Sequence, residues 1–475
     1  MRIEFTRQKL RSLVMALIAG GGLSIYLYWS RDPDMPLDMV FLSLGIVWLG
    51  FLPTIYYILD DYRPPMPFFP LIGIFYIVFF GIPAFSYQTF RWGEATKITF
   101  YSVFILFTGI FFCFTSYFIF KIFAFHNVNS IRLPRSHTTS RLIILLWILL
   151  LGNVTYYFIP LLRSIPSLGN FIDPAGYLAF GMFYILWRRG DLSIWQKYLL
   201  AFIIIPLYVM QCLATGALYQ ILYFVLFIGI IRIYYHKKVQ IIFALTICVF
   251  YFLFNPVKME YRSIVLGVDQ DKSLSFLYNN SALFLSLAYE YVDSMGYSSD
   301  FSVSQRDSMA RINHIFEFAA VVDETPNRIP YWGGETYKPL ITMFIPRIIW
   351  QNKPEEKVGQ SFGHRYGFIY PTDDVTSWNL PWITEMYANF GSVGIVLGMA
   401  FVGCLLAFLE AKLNRPEMIP LEFVVGVTIL LPLVFQESNF SIMAGNILLL
   451  YISFYIYFVV GLRVRLGHLS GNGKN

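Results

Sequence analysis

The chain has 475 residues, of which 57% are hydrophobic, 19% aromatic and only 13% charged, with a formal net charge of +6. A soluble domain carries about 25% charged residues, so this composition excludes one. Repeated apolar runs of about 20 residues, the length that crosses a bilayer core, identify a polytopic membrane protein, and its positive charge calls for no nucleic acid because loops facing anionic lipid are basic.

The N-terminus "MRIEFTRQKLR" is basic, and no A-x-A cleavage signal follows, so the first apolar run reads as a retained span over 12–29. The short loop "SRDPDMPLD" (30–38) holds Asp32 and Asp34. Asp-Pro-Asp ahead of a helix reads as a turn and N-cap, with metal ligation as the alternative. Spans are expected next at 37–59, 68–88, 98–120, 141–161, 170–187, 196–214, 218–235 and 239–256. Asp173 and Pro174 make the sixth of these the least apolar. Cys113, Cys212, Cys248 and Cys404 all fall inside apolar runs and read as buried residues, not as a disulfide framework. The histidines show no HExxH or H-x3-H spacing, so no zinc site is expected.

Charge sets the topology. With the N-terminus inside, the inner segments hold Arg2, Arg7, Lys9 and Arg11, then Arg63, then Lys121, Arg132, Arg135 and Arg141, then Arg188, Arg189 and Lys197, then Arg232, Lys237 and Lys238, then Lys412 and Arg415, and last Arg463, Arg465 and Lys474. The short outer loops hold only Arg31, Arg91, Lys97 and Arg163. This bias places both termini in the cytoplasm.

From 257 to 390 the chain makes one large outer loop. Amphipathic helices are expected over 273–295 and 302–323. In the second, Met309, Ile312, Phe316, Ala319 and Val322 form one stripe, with Arg311 and His314 beside it. Such helices lie on the membrane surface or across the mouth of a bundle, and a purely structural cap is the plain alternative. Irregular segments follow: "TPNRIPYWGGETY", "FIPRIIWQNKPEEKVG" and "SFGHRYGFIYPTDDVTSWNLPW". A long irregular loop this rich in aromatics points to function. Its mixture of rings, carboxylates and amides, Tyr331, Glu335, Tyr337, Trp350 and His364 among them, suits sugars. Arg347 follows Pro346 in "FIPRIIW", at interface depth. A guanidinium there can fork the oxygens of a lipid diphosphate or simply snorkel. Spans at 391–410, 417–436 and 442–462 complete an all-α membrane protein of about 12 spans. Its parts are 1–256 (nine spans), 257–390 (the outer loop) and 391–475 (three spans and a tail).

Three stretches carry a family resemblance: "GGETY" (333–337), "IPRIIWQNKP" (345–354) and "TEMYANFGSVG" (384–394). Through Pro346, Arg347, Trp350, Lys353, Pro354, Glu385, Asn389, Phe390 and Gly391 the chain resembles the bacterial O-antigen and exopolysaccharide repeat-unit polymerases of the Wzy type. The resemblance implies a GT-C-like glycosyltransferase of the bacterial cytoplasmic membrane. Such an enzyme joins undecaprenyl-diphosphate-linked oligosaccharides into a surface polysaccharide, with membrane lipid and a chain-length regulator as partners and with no cofactor or metal. It assigns charge stabilisation to Arg347, helped by Arg311 and Arg262. The base is Glu385, with Glu335 and His364 as the next candidates, and His314, Tyr331, Tyr337, Trp350, Lys353 and Asn389 contact the substrate. The related O-antigen ligases carry a His at the position of Leu380, which this chain lacks. A flippase or transporter of lipid-linked sugars is the other alternative. Its signature would be internal repeats and ionisable residues near mid-membrane, and the chain shows no repeat and almost no charges within the spans.

Overall fold

A computed structural model describes residues 6–86, 88–91, 94–133, 139–165, 168–236, 250, 254–258, 260–262, 264–265, 273–294, 313–342, 345, 350, 352, 357–374 and 376–461. The main helices are α1 (Arg7–Ser30), α2 (Leu37–Leu59), α3 (Phe68–Tyr76), α4 (Phe100–Phe123), α5 (Thr139–Phe158), α6 (Leu168–Arg189), α7 (Ile194–Ala214), α8 (Leu218–His236), α9 (Leu274–Ser294), α10 (His314–Glu324), α11 (Val358–Arg365), α12 (Trp382–Leu413), α13 (Pro420–Leu430) and α14 (Phe440–Tyr455). An antiparallel hairpin, β1 (Gln88–Arg91) and β2 (Glu94–Lys97), pairs Gln88 with Lys97 and Arg91 with Glu94.

Among the described residues, nine helices are long and apolar enough to cross a membrane, so the chain is a polytopic membrane protein. Each of the other three expected spans has its own outcome. Helix α6 forms over the expected run but is more polar than the nine, because it includes Asp173, Arg188 and Arg189. The run at 417–436 becomes a shorter apolar helix, Pro420–Val434. Most of 239–256 lies outside the described residues, as does Cys248; Cys113, Cys212 and Cys404 are free thiols.

The chain divides into two units. Unit 1 comprises Met1–Ser130, Arg311–Glu417 and Ile429–Ile447; unit 2 comprises Ile131–Ala310, Met418–Thr428 and Leu448–Asn475. In unit 1, α4 packs along α12. Gly403 permits the approach, since a Cβ there would stand 2.0 Å from the carbonyl oxygen of Cys113. Lipid chains are as apolar as the helices, so this closeness comes from van der Waals fit at small residues. The Phe69 ring stacks on Tyr117 at 3.6 Å within the same core.

Segments assigned to opposite membrane sides occupy opposite ends of unit 1. At one end, Asp32 N–H donates to Phe85 O (3.1 Å) and Tyr101 Oη meets Ser392 Oγ (3.0 Å). At the other, Lys121 Nζ pairs with Asp60 (3.3 Å), Met66 N–H donates to Asn414 Oδ1 (3.0 Å) and Arg415 Nη2 donates to Val128 O (2.8 Å). Asp32 forms the expected turn, its Oδ1 accepting the N–H of Asp34 at 3.0 Å, but the N-cap of α2 is Pro36, which gives no side-chain cap.

Unit 2 is segregated in the same way. Leu133 N–H donates to Glu422 Oε1 (2.7 Å) and Tyr234 Oη to Met418 O (2.8 Å). Tyr261 Oη donates to Ala214 O (2.5 Å) at the end where Tyr157, Phe276 and Leu277 cluster.

The large loop is shared between the units: α9 belongs to unit 2 and α10 to unit 1. Helix α10 departs from the expectation of a one-sided surface helix. His314, Ile315, Glu317, Phe318, Ala319, Val321 and Val322 are all buried, which takes in most of its circumference. Contacts with α12, α4 and β2 account for this.

Candidate functional site

The site begins at a break. Helix α12 runs from Trp382 to Leu413, but Gly391 has φ 60° and ψ −146°, which divides a short helix, 382–390, from the membrane span. Only glycine occupies that region readily. Space also demands it, because a Cβ at 391 would lie 2.5 Å from Tyr331 Oη.

A broken helix leaves its last carbonyls without partners. The Trp332–Gly334 turn supplies them. Trp332 N–H donates to Ala388 O (3.0 Å) and Gly333 N–H to Asn389 O (3.2 Å). Gly333 and Gly334 both have positive φ, 59° and 92°, and this lets consecutive N–H groups face the helix end. Gly334 N–H then donates to Asn389 Oδ1 at 2.9 Å, while Asn389 Nδ2 donates to Thr336 Oγ1 and Glu385 O, each at 2.8 Å. Glu385 is fully buried. Its Oε2 accepts the N–H of Phe440, the first residue of α14, at 2.6 Å. A carboxylate at a helix N-terminus is favoured by the helix dipole.

A second polar group lies beside the first, around α10. His314 Nδ1 bonds Glu317 Oε2 at 2.9 Å, and Trp378 Nε1 donates to Glu317 Oε1 at 2.8 Å. Asn379 Nδ2 donates to Glu437 Oε2 (3.2 Å) and Tyr76 Oη to Gln436 Oε1 (2.6 Å). Gln436 O in turn accepts the N–H of Trp382 at 3.3 Å, which joins the two groups. The imidazole stacks on Phe79 at 5.3 Å. Burial pushes the His314 pKa down, but the charges of Glu317 and Glu437 and the bond to Glu317 outweigh it, so it stands above its usual 6.5. Burial raises the Glu437 carboxyl, and His314 opposes that rise. Burial, and then the charge of Glu385, raise the Tyr337 phenol.

Among the described residues, His314 Nε2, Gln436 Nε2, Trp382 Nε1 and Thr384 Oγ1 are buried without a hydrogen-bond partner. Buried polar atoms of this kind are few in folded proteins and tend to mark a binding or catalytic place. A carboxylate–imidazole pair among them can accept a proton from a hydroxyl.

The site gathers Tyr331, Tyr337, Glu385 and Asn389 around the glycine turn, with the Tyr337 ring stacked over Phe390 at 6.2 Å. His314 joins through α10. Glu335 is at the surface, paired with Lys338 at 3.1 Å. His364 is half-buried at the end of α11, Trp350 is exposed, and Arg262 is exposed on unit 2. Arg311, Arg347 and Lys353 lie outside the described residues. Sequence reasoning missed Glu317, Gln436, Glu437 and Arg365, whose guanidinium sits 5.2 Å over the Trp332 ring. One signal was available: Gln436 and Glu437 interrupt an apolar stretch between two spans. Among the described residues no cluster of three or more His, Cys, Asp or Glu is placed to hold a metal.

A family model described as a domain of unknown function, DUF8712, matches residues 135–466. No curated protein and no solved structure matches the chain.

Proposed function

The chain belongs to the DUF8712 family, and from that premise and the site we propose that it is a membrane glycosyltransferase that polymerises undecaprenyl-diphosphate-linked oligosaccharide units on the outer face of a bacterial cytoplasmic membrane. The observation that carries the reading is the meeting of two of the three stretches on which the resemblance rests. "GGETY" and "TEMYANFG" are knitted together through Gly334, Thr336, Glu385 and Asn389. Residues that serve one reaction belong at one place.

In the proposed reaction the acceptor hydroxyl oxygen bonds to the anomeric carbon of the donor glycan. The bond from that carbon to the diphosphate oxygen breaks, and the diphosphate leaves with the electron pair. Arg347 meets the charge on the leaving group. The hydroxyl proton needs an acceptor. Glu385 gives Oε2 to the Phe440 N–H, so its role is to hold α14 against the 382–390 helix. The imidazole of His314, oriented by Glu317, is the preferred base.

Protein purified into vesicles with the lipid-linked repeat unit tests the proposal. A ladder of polymer is expected. Arg347→Ala should end elongation without preventing insertion, and Arg347→Lys should restore little, because an ammonium lacks the planar fork. Translocation of repeat units without elongation would identify a transporter instead.

A further inference from the structure

Unit 2 contains a cavity that the proposed reaction does not use. Its volume is about 420 Å³, and it is lined by Phe183, Tyr184, Trp187, Arg188, Arg232 and His236. These residues occupy the last turns of α6 and α8, which pack against each other. The volume falls within the range of about 300–1,000 Å³ typical of small-ligand pockets.

The lining combines two guanidinium groups and an imidazole with three aromatic walls. Cations also lie against rings at this end. The Arg188 guanidinium lies 5.5 Å from the Tyr235 ring centroid, and the Lys197 ammonium 5.9 Å from that of Trp187. The nearest carboxylate in sequence is Asp191, and among the described residues Arg188 forms no ion pair with it or with any other acid. A cation in the last turn of a helix answers the helix dipole. One per helix end does that, and here Arg188 and Arg189 share the last turn of α6, with Arg232 one turn before the end of α8. Two arginines at the end of α6, set in a concave and not a flat surface, suit an anion. Two guanidinium forks suit the oxygens of phosphate. Trp and Tyr at the end of apolar helices suit the headgroup level of a bilayer.

We propose that this pocket binds a phosphate ester at the membrane surface, with Arg188 and Arg232 on its oxygens and Trp187 and Tyr184 against its carbon-bearing part. The headgroup of an anionic phospholipid and a soluble phosphate compound share this chemistry, and the lipid is the favoured source because of the aromatic wall.

The full chain, held in neutral phosphatidylcholine nanodiscs, separates the outcomes. Phosphatidylglycerol is added at fixed mole fraction in one arm, and inorganic phosphate and glycerol phosphate in the other. Bound lipid is counted by native mass spectrometry and protection by thermal melting. Wild type should retain phosphatidylglycerol, and Arg188→Gln/Arg232→Gln should bind it about tenfold or more weakly, since each lost charge-assisted bond is worth about a factor of ten. The Arg188→Lys/Arg232→Lys variant should recover part of the loss. Protection by the soluble phosphates alone would name a soluble ligand as the source. Equal retention by wild type and the Gln variant, or no preference over neutral lipid in either arm, overturns the proposal. Arg188 is exposed, so Arg188→Gln alone provides the comparison if the double variant fails to fold.

Discussion

His314 is the one histidine in the site whose ring meets two aromatic side chains and a carboxylate: Phe79 stacks on it, Phe80 tilts toward it, and Glu317 binds Nδ1. Its pKa lies above 6.5 despite burial, because Glu317 and Glu437 favour the charged form. The sign of the linkage follows. A folded-state pKa raised above the unfolded value gives stability that is fully present below about pH 6.5 and is lost as pH rises through the raised value. If His314 is the base of the proposed reaction, the neutral ring appears over that same interval. Turnover should therefore climb with pH while melting temperature falls. His314→Gln should flatten the pH dependence of melting and lower turnover by about 10²–10⁴. A variant that loses the pH dependence of melting yet keeps full turnover would leave His314 a structural residue and return the base role to Glu385. Glu385→Gln is the paired measurement. A glutamine can still accept from Phe440 N–H, so it should keep most activity if the carboxylate only holds α14 in place.

The break at Gly391 is the element on which the site depends. The expected start of the tenth span at 391 coincides with it, because "GSVG" is where the apolar run begins and where a residue with φ of 60° is needed. Gly391→Ala adds backbone strain of about 1–3 kcal/mol and a contact with Tyr331 Oη. We expect a lower melting temperature, and the double variant Gly391→Ala/Tyr331→Ala should recover little of it, since the hydroxyl is the movable end of a half-exposed side chain. Full recovery in the double variant would show that the contact, not the backbone, sets the cost. The glycine turn at 333–334 was also legible, because paired glycines between Trp332 and Glu335 announce positive φ. What could not be read was α10. Its stripe at Phe316, Ala319 and Val322 predicted one buried face, yet neighbours from α4, α12 and the hairpin cover several. Hydrophobic periodicity records how many faces are apolar, and cannot record that polar His314 and Glu317 are buried by pairing with each other and with Trp378, 61 residues from Glu317.

For the whole molecule, the ends of the helices bear on how the chain crosses the membrane. Helices α4 and α12 run in the same direction, with Tyr101 meeting Ser392 at one end and Lys121 within 4.0 Å of Glu410 at the other. A chain that leaves α4 at the second end and enters α12 at the first makes an odd number of crossings between them. Five helices of 19 to 22 residues, α5 to α9, are described in that interval. Three of them, α5, α7 and α8, are apolar enough to span, and the expected twelve-span layout adds α6 and a crossing after α8. Tyr234, near the end of α8, bonds Met418, beside the Leu133–Glu422 contact, whereas Tyr261 bonds Ala214 at the opposite end. Tyr234 and Tyr261 therefore sit at opposite ends of unit 2, as a crossing between them would require. Charge gives the expected side. Lys9, Lys121 and Arg415 gather at the end of unit 1 opposite to Asp32, and basic ends face the cytoplasm. A reporter active only outside the cytoplasm should be silent when fused after His236 or at the C-terminus and active after Gly359. Activity after His236 would remove the expected crossing between α8 and Tyr261, and with it the expected twelve-span topology. Activity at the C-terminus with silence after Gly359 would keep every crossing but invert the protein, moving the His314–Glu385 site to the cytoplasmic face, where the proposed polymerisation does not occur.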